Sequence, residues 1–190
     1  AGSAVIIKMN GIIKGLDQVQ RNANDAIAMA DTADSALGEI SDILQRMREI
    51  AVQSATETTV NRDLANTEFQ GLKAELNRMA GAAELNDIKL LDGSAPAGFE
   101  FQVGTRQGQT VTIKLPDFTF SGQMAGMVNV DTNTLDNAND SIAAIDDAID
   151  RVINSRSDLG ATISRLRTTI NNLVNVNQHT QTAPGVIRDA

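Results

Sequence analysis

The chain has 190 residues and a formal net charge of −8 at pH 7. Hydrophobic residues make up 42% of the sequence, which suffices for a packed core, but aromatic residues make up only 3% and cysteine is absent. The acidic balance argues against nucleic acid or an anionic membrane surface as a partner, and the lack of cysteine excludes disulfides, thiolate metal sites and thiol catalysis. A core built from Ala, Leu, Ile, Val and Met favours close packing between helices.

Apolar or small residues recur at alternating spacings of three and four along the first part of the chain. They lie at Met9, Ile12, Leu16, Val19, Ala23, Ala26, Ala30, Ala33, Leu37, Ile40, Leu44, Met47 and Ala51. This is the a and d pattern of a helix that packs along a partner helix. No proline interrupts residues 1–95, so the pattern predicts one long helix over residues 1–54.

A polar segment rich in threonine, residues 54–61, separates this helix from a second one. Asn61 is suited to begin the second helix, because its side chain can accept a hydrogen bond from a backbone N–H in the first turn. The apolar positions of this helix are Ala65, Phe69, Leu72, Leu76, Met79 and Ala83. We predict a helix over residues 61–82 that folds back on the first.

Two short runs of alternating apolar and polar residues follow a stretch of turn residues. The apolar members are Phe99, Phe101 and Val103 in the first run, and Val111, Ile113 and Leu115 in the second. Gly104 and Gly108 lie between the runs, which is typical of a β-hairpin. We predict a hairpin region over residues 98–122 and a loop over residues 123–134, where Gly, Asn, Asp and Thr show no clear period.

The heptad pattern returns near the end of the chain and predicts a third helix over residues 135–182. Its seam positions are Leu135, Ala138, Ile142, Ile145, Ile149, Val152, Arg156, Leu159, Ile163, Leu166, Ile170 and Leu173. Arg156 is the one charge in this seam. Pro184 and Gly185 are expected to end the helix early, because proline lacks the N–H that a helix needs.

The two long seams predict that the first and third helices pack on each other in antiparallel orientation, since neither seam can stay exposed to water. The fold class is therefore mainly α, an elongated antiparallel helical bundle or coiled-coil rod with a small β-hairpin. We expect residues 1–190 to form a single domain.

The sequence offers no catalytic constellation, metal site or cofactor site. His179 is the only histidine, which excludes the metalloprotease signature with two histidines. Asp146, Asp147 and Asp150 lack the alternating oxygen ligands of a calcium loop, so they are interpreted as a solvated helix face. We expect no cofactor and no enzymatic activity.

Several segments of the chain resemble bacterial flagellin. The first core helix of that family is similar to Arg21–Ala26 and to Leu44–Ala55, which reads LQRMREIAVQSA. Its glutamate-phenylalanine-asparagine-glycine turn is similar to Glu84-Leu85-Asn86-Asp87 with Lys89-Leu90-Leu91, and its returning helix to Arg156–Ala161 and Ile187–Ala190. The departures are Ile6, Ile7 and Ile12, where the family tends to have small or polar residues, and Pro184-Gly185-Val186, where it usually continues a helix.

The resemblance implies a core-domain fragment that lacks the terminal polymerisation helices of the family. It implies a structural subunit that assembles with other flagellin subunits into the extracellular flagellar filament for motility. It also implies secretion through the flagellar type III apparatus without a cleaved signal peptide. The alternatives are a flagellin-like hook–filament junction protein and a cell-surface adhesin related to flagellin.

The resemblance also points to candidate contact residues, namely Gln45, Arg46, Ile50 and Glu68. Counted from Met9 as a, Arg46 and Ile50 fall at c and g, which lie off the predicted core. Arg46, Ile50 and Glu68 match the positions that the flagellin-sensing Toll-like receptor of animals contacts during innate immune recognition, and Ile50 stands where the family usually has Leu. The alternatives are a contact between subunits and an ordinary surface. If the second helix folds back, Glu68 should come near Arg46.

Overall fold

The computed structural model describes residues 1–58 and 61–189, and it describes only the backbone for residues 183, 184 and 186–189. Three α-helices dominate the described residues: α1 spans Gly2–Ser54, α2 spans Arg62–Ala82 and α3 spans Leu135–Asp189. The predicted mainly α class is confirmed. None of the helices in the described residues is both long enough and apolar enough to cross a membrane.

Two antiparallel hairpins and one short 3-10 helix connect α2 to α3. Strand β1 (Glu84–Leu85) pairs with β2 (Ile88–Lys89), and β3 (Phe99–Gln102) pairs with β4 (Thr110–Ile113), with Phe99 opposite Ile113. The second pair confirms the predicted hairpin, although its strands end at Ile113 rather than reaching 122. The 3-10 helix, Ala125–Met127, lies within the predicted loop.

The first hairpin is not among the sequence predictions, because its strands are too short to alternate visibly. Its two turn residues, Asn86 and Asp87, have φ angles of 51° and 64°. Positive φ at both central residues is typical of a type I′ turn, in which the second position favours glycine. In this chain Asp87 occupies that second position, whereas the flagellin turn that this segment resembles has glycine there.

The contacts divide the chain into two compact units. Unit 1 comprises Ala1–Asp31, Gly98–Ile113 and Gly160–Ala190, and unit 2 comprises Thr32–Ala97 and Lys114–Leu159. The arrangement of residues 1–190 as one domain stays a prediction.

Unit 2 contains a core that three helices and the connecting segments share. Within it, α1 and α3 run antiparallel: Arg156 pairs with Asp34 at 2.9 Å, and Arg48 pairs with Asp146 at 2.6 Å. The fully buried side chains include Leu37, Ile40, Leu44, Met47, Ile50, Phe69, Leu76, Leu91, Phe118, Met124 and Met127. The Arg156 guanidinium lies over Gly38, and a Cβ added to Gly38 would be 3.5 Å from its carbon and nitrogen atoms. Because Gly38 has no side chain, Arg156 can pass over it and place its charge at the surface.

Unit 1 has a smaller core. Leu16, Val19 and Leu173 form one buried cluster, and the Asn177 side chain donates to the Asp17 carboxylate at 2.7 Å, which again sets α1 antiparallel to α3. The seam predicted from Met9 to Ala51 is buried only from Leu16 onward. Ile12 is 46% exposed and lines a groove beside the loop of the β3–β4 hairpin.

The predicted end of the third helix at residue 182 is wrong, since α3 continues to Asp189. Proline removes its own N–H from the helical hydrogen bonds, but the N–H groups of later residues can still pair with later carbonyls, so one missing bond need not end a helix. Part of the family-like segment 187–190 lies outside the described residues.

Candidate partner-binding face

Arg46 bridges two glutamates on the exposed surface of unit 2. Its Nε donates to Glu68 Oε1 at 2.9 Å, its Nη2 lies 2.8 Å from the same oxygen, and its Nη1 donates to Glu49 Oε2 at 3.0 Å. The Arg46 side chain is 49% exposed despite these contacts. The expected proximity of Glu68 to Arg46 is confirmed.

The two glutamates fix both the charge and the direction of the Arg46 guanidinium. Hydrogen bonds raise the pKa of Arg46 above its ordinary value, with the bond to Glu49 as the largest cause and the bond to Glu68 as the second. These contacts use three of the five N–H groups of the guanidinium, so two remain for another acceptor. Arg46 therefore presents a fixed planar donor at the surface.

Glu68 is held in place by the way α2 begins. Asn61 accepts a hydrogen bond from the Leu64 backbone N–H at 3.1 Å and caps the helix, as the sequence predicts. Arg62 ties this helix start to α1: its Nε donates to the Ser54 carbonyl at 2.9 Å and its Nη2 to the Thr56 carbonyl at 2.7 Å. The orientation of Glu68 toward Arg46 follows from this anchored turn.

Ile50 does not lie on the exposed face, contrary to the sequence prediction. It is only 1% exposed, and it contributes to the floor of a cleft between the end of α1 and the start of α2. The heptad places Ile50 off the seam that contacts α3, but α2 covers that flank of α1 as well. A g position is buried when a third helix packs beside the first two.

The cleft at Ile50 has a volume of about 640 Å³ and opens next to Glu68. Leu64, one helical turn before Glu68, lines the cleft and is 67% exposed. Gln45 lies on a neighbouring exposed part of α1, where its side chain donates to Ser41 at 3.5 Å. Leu64 and Glu49 are the members of this face that the sequence prediction missed, since periodicity alone marks neither.

The other ionisable residues singled out in the sequence are engaged in surface contacts or exposed. Asp146 pairs with Arg48, Asp147 pairs with Arg151 at 2.8 Å, and His179 is exposed. Across the described ranges, no group of three or more His, Asp or Glu residues is placed to hold a metal ion. The arrangement can recognise a partner, because the charged Arg46 guanidinium lies near a cleft that polar and apolar side chains line together.

Comparison with protein families gives two matches that together span most of the chain. Residues 1–95 match the bacterial flagellin N-terminal helical region, and residues 142–190 match the bacterial flagellin C-terminal helical region. The chain belongs to the bacterial flagellin family. As a flagellin it is a structural subunit of the flagellar filament, which lies outside the cell, and it is not an enzyme.

Individual flagellins agree with this assignment. The chain is 41% identical to a flagellin of Halalkalibacterium halodurans over its full length, covering 70% of that protein, and 32% identical to a flagellin of Bacillus subtilis, covering 73% of it. The solved structure of Bacillus cereus flagellin superposes with a TM-score of 0.71 at 31% identity, over 80% of this chain and 88% of the other.

A flagellin-like junction protein was the nearest alternative. A putative flagellar hook-associated protein from Vibrio parahaemolyticus has a similar structure, with a TM-score of 0.79 over 96% of both chains. Its identity to this flagellin is only 15%, so this likeness shows a shared fold alone. The sequence matches favour the filament subunit.

Proposed function

We propose that this flagellin subunit uses the face formed by Gln45, Arg46, Glu68 and Leu64 to contact a protein partner, and that the partner is the flagellin-sensing Toll-like receptor of animals. The observation that carries the proposal is the Arg46 guanidinium held between Glu49 and Glu68 beside an open cleft. The choice of receptor rests on the family resemblance of residues 44–55. A neighbouring subunit in the filament is the alternative partner.

In protein–protein interfaces, a few residues contribute most of the binding free energy, and arginine is common among them. Arg46 suits this role because its guanidinium is already oriented, so little side-chain freedom is lost on binding. Leu64 supplies the exposed apolar group that the sequence prediction assigned to Ile50. Ile50 instead supports the face from below, and we do not retain it as a contact residue.

The proposal is tested by binding of this chain to the surface-coupled receptor ectodomain. We expect Arg46→Ala to weaken binding by about tenfold or more, which is the loss typical of an anchor residue. Arg78→Ala is the matched control, because Arg78 is also an exposed arginine in an ion pair, with Glu75 on α2. Helical circular dichroism should be the same for all three proteins.

Two results would contradict the receptor assignment: no binding by the wild-type chain, or equal binding by wild type and Arg46→Ala. A separate measurement addresses the alternative. If Arg46→Ala in the full-length protein shortens filaments while the receptor result is negative, the face is a contact between subunits.

Family membership also supports the proposal that the full-length protein leaves the cell through the flagellar type III apparatus without a cleaved signal peptide. Mass spectrometry of the protein from purified filaments measures whether its N-terminus has been shortened. An intact N-terminus, and retention of the protein in cells that lack the export gate, are the expected outcomes. A processed N-terminus would contradict this route.

A further inference from the structure

Unit 1 contains a groove between α1 and the loop of the β3–β4 hairpin. The groove has a volume of about 560 Å³, and its lining includes Lys8, Gly11, Gly15, Gln18 and Arg106. The hairpin loop lies directly on α1 at Gly15, where an added Cβ would be 3.7 Å from Thr105 Cγ2. Two cations therefore flank a channel whose helical wall carries two glycines.

The loop that forms the outer wall of this groove is held by its own hydrogen bonds. The Gln102 side chain donates to the Gly104 and Arg106 carbonyls at 2.6 Å each, and Gln109 Oε1 accepts from the Arg106 backbone N–H at 3.0 Å. Asn22 on α1 donates to the Gln102 carbonyl at 3.0 Å, which joins the hairpin to the helix. The groove is thus formed before any partner arrives.

The cations of the groove have no acidic partner among the side chains that the structure describes. Neither Lys8 nor Arg106 forms an ion pair with any of the carboxylates in that set. Ile12, which also lines the groove, is 46% exposed, so the groove combines positive charge with an apolar surface. An acidic protein surface would complement both features.

The chain itself carries such a surface, because its charges are divided unevenly between the two units. Unit 1 has seven Lys and Arg against five Asp and Glu, a net charge of +2, whereas unit 2 has nine against nineteen, a net charge of −10. Four of the carboxylates of unit 2 lie along α3, where Asp136, Asp140, Asp147 and Asp150 are all exposed. Their spacings of four, seven and three place them on one face of the helix.

We infer that the groove of unit 1 is a docking surface for a second copy of this chain, which presents the acidic face of α3 in its unit 2. Asp136, Asp140 and Asp150 have no ion-pair partner in the described part of the chain, and Asp147 pairs with Arg151. Gly11 has no atom within 4 Å of an added Cβ, so the incoming helix can come close to the floor of the groove there. Such a contact joins two different surfaces, and heterologous contacts of this kind build open helical polymers wherever the rotation between copies does not close into a ring.

The contact is separate from the Arg46 face and goes beyond it. The family assignment gives a filament subunit, and the groove identifies one surface by which copies recognise each other and the sign of the charge on each side. Because both sides are exposed, salt should weaken the contact strongly.

Disulfide cross-linking can test this contact directly, because the chain has no cysteine of its own. One chain carries Gln107→Cys in the hairpin loop, and the other carries Ala143→Cys within the acidic face; both positions are exposed. Mixed at high protein concentration and low salt, the two variants should form a heterodimer faster than either forms a homodimer. A chain with Ser35→Cys, an exposed position on α1 in unit 2, replaces the Ala143→Cys chain as the geometric control.

Charge reversal then identifies the groove. We expect Lys8→Glu with Arg106→Glu in the Gln107→Cys chain to lower the cross-linking rate by about tenfold, since two attractive contacts become repulsive. Asp136→Lys with Asp140→Lys in the other chain should restore the rate. Lys14→Glu with Arg21→Glu, an equal charge change at exposed positions of α1 outside the groove lining, should leave more of the original rate than the reversal in the groove does.

The proposal is overturned by any of three results: no heterodimer at low salt, equal cross-linking of the Ser35→Cys control, or reversal in the groove without effect. If Arg46→Ala slows the cross-linking and the groove reversal does not, the Arg46 face and not the groove joins the copies. Loss of receptor binding by Arg46→Ala has no bearing on this test.

Discussion

Helix α1 carries the same spacing of apolar residues in both units, but the two parts of the helix are buried to different degrees. In unit 2, Leu37, Ile40 and Leu44 are completely inaccessible to solvent. In unit 1, Ala23, Ala26 and Ala30 are also inaccessible, but Leu16 and Val19 each remain 5% exposed and Ile12 is 46% exposed. The neighbours differ: α2 and the segments around Phe118 cover α1 in unit 2, whereas α3 and one hairpin pack on it in unit 1.

This difference shows what a heptad pattern determines and what it leaves open. The pattern identifies the stripe of α1 that faces α3, and that stripe is buried from Leu16 to Ala51. It does not say how many other elements pack beside the stripe. Burial of a flanking position such as Ile50, or exposure of a seam position such as Ile12, depends on those additional elements.

The strongest test of the comparison is a charge placed in the α1 seam in each unit. We expect Leu37→Asp to abolish the cooperative unfolding transition, because a buried unpaired carboxylate costs several kcal/mol against a total stability of about 5–15 kcal/mol. Ile12→Asp, a seam position that is 46% exposed, should leave the helical circular dichroism and the melting temperature nearly unchanged. A folded Leu37→Asp protein would mean that the wrong face of α1 has been placed inward.

A smaller but more discriminating effect is expected at Ile50. Ile50→Ala should lower the free energy of unfolding by about 2–5 kcal/mol, the range for truncating a buried isoleucine. Val52→Ala is the matched control, because Val52 is 46% exposed on the same turn of α1. Urea denaturation of both variants measures the difference. An Ile50→Ala protein as stable as Val52→Ala would restore the interpretation of Ile50 as a surface residue.

The main elements of the fold could be predicted because they depend on spacing. Three helices, the β3–β4 hairpin and the cap at Asn61 all follow from periodicity and local hydrogen bonding. The β1–β2 hairpin could not, since it consists of two-residue strands joined by Asn86 and Asp87 in a positive-φ turn. The continuation of α3 beyond Pro184 could not be predicted either, because proline followed by glycine usually ends a helix.

The candidate face was predicted in part. The proximity of Arg46 and Glu68 follows from a second helix that folds back on the first, which their 22-residue separation in sequence makes feasible. The burial of Ile50 and the exposure of Leu64 depend on the rotation of α2 about its axis, which no local pattern specifies. The groove at Lys8 and Arg106 joins residues from distant parts of the chain, so only the tertiary structure reveals it.

The cores of the two units can be compared directly by equal truncations. Leu44→Ala in unit 2 should cost about 3–5 kcal/mol of unfolding free energy, and Leu16→Ala in unit 1 only about 2–3 kcal/mol, because a site near solvent relaxes or hydrates more easily. Native-state hydrogen exchange adds local detail, with faster exchange expected for amides near Leu16 than near Leu44. Equal costs and equal exchange would show that the smaller cluster of Leu16, Val19 and Leu173 is as well packed as the core of unit 2.

The smallest expected effect, and the only one of opposite sign, is at Ser54 in unit 2. Ser54 is completely buried at the end of α1, and its Oγ has no hydrogen-bond partner among the residues that the structure describes. A buried hydroxyl without a partner loses its hydration on folding and gains nothing in return. Ser54→Ala should therefore raise the free energy of unfolding, by about 1 kcal/mol.

Part of that gain comes from the higher helix propensity of alanine, and Ser35→Ala measures this part. Ser35 lies on α1 in the same unit but is exposed, so its hydroxyl stays hydrated in the folded chain. In urea denaturation, the gain in unfolding free energy should be larger for Ser54→Ala than for Ser35→Ala by several tenths of a kcal/mol, because only the Ser54 hydroxyl loses its hydration on folding. If Ser54→Ala is instead destabilising, the Ser54 hydroxyl forms a hydrogen bond in solution, and the end of α1 is less completely covered than the rest of its seam in unit 2.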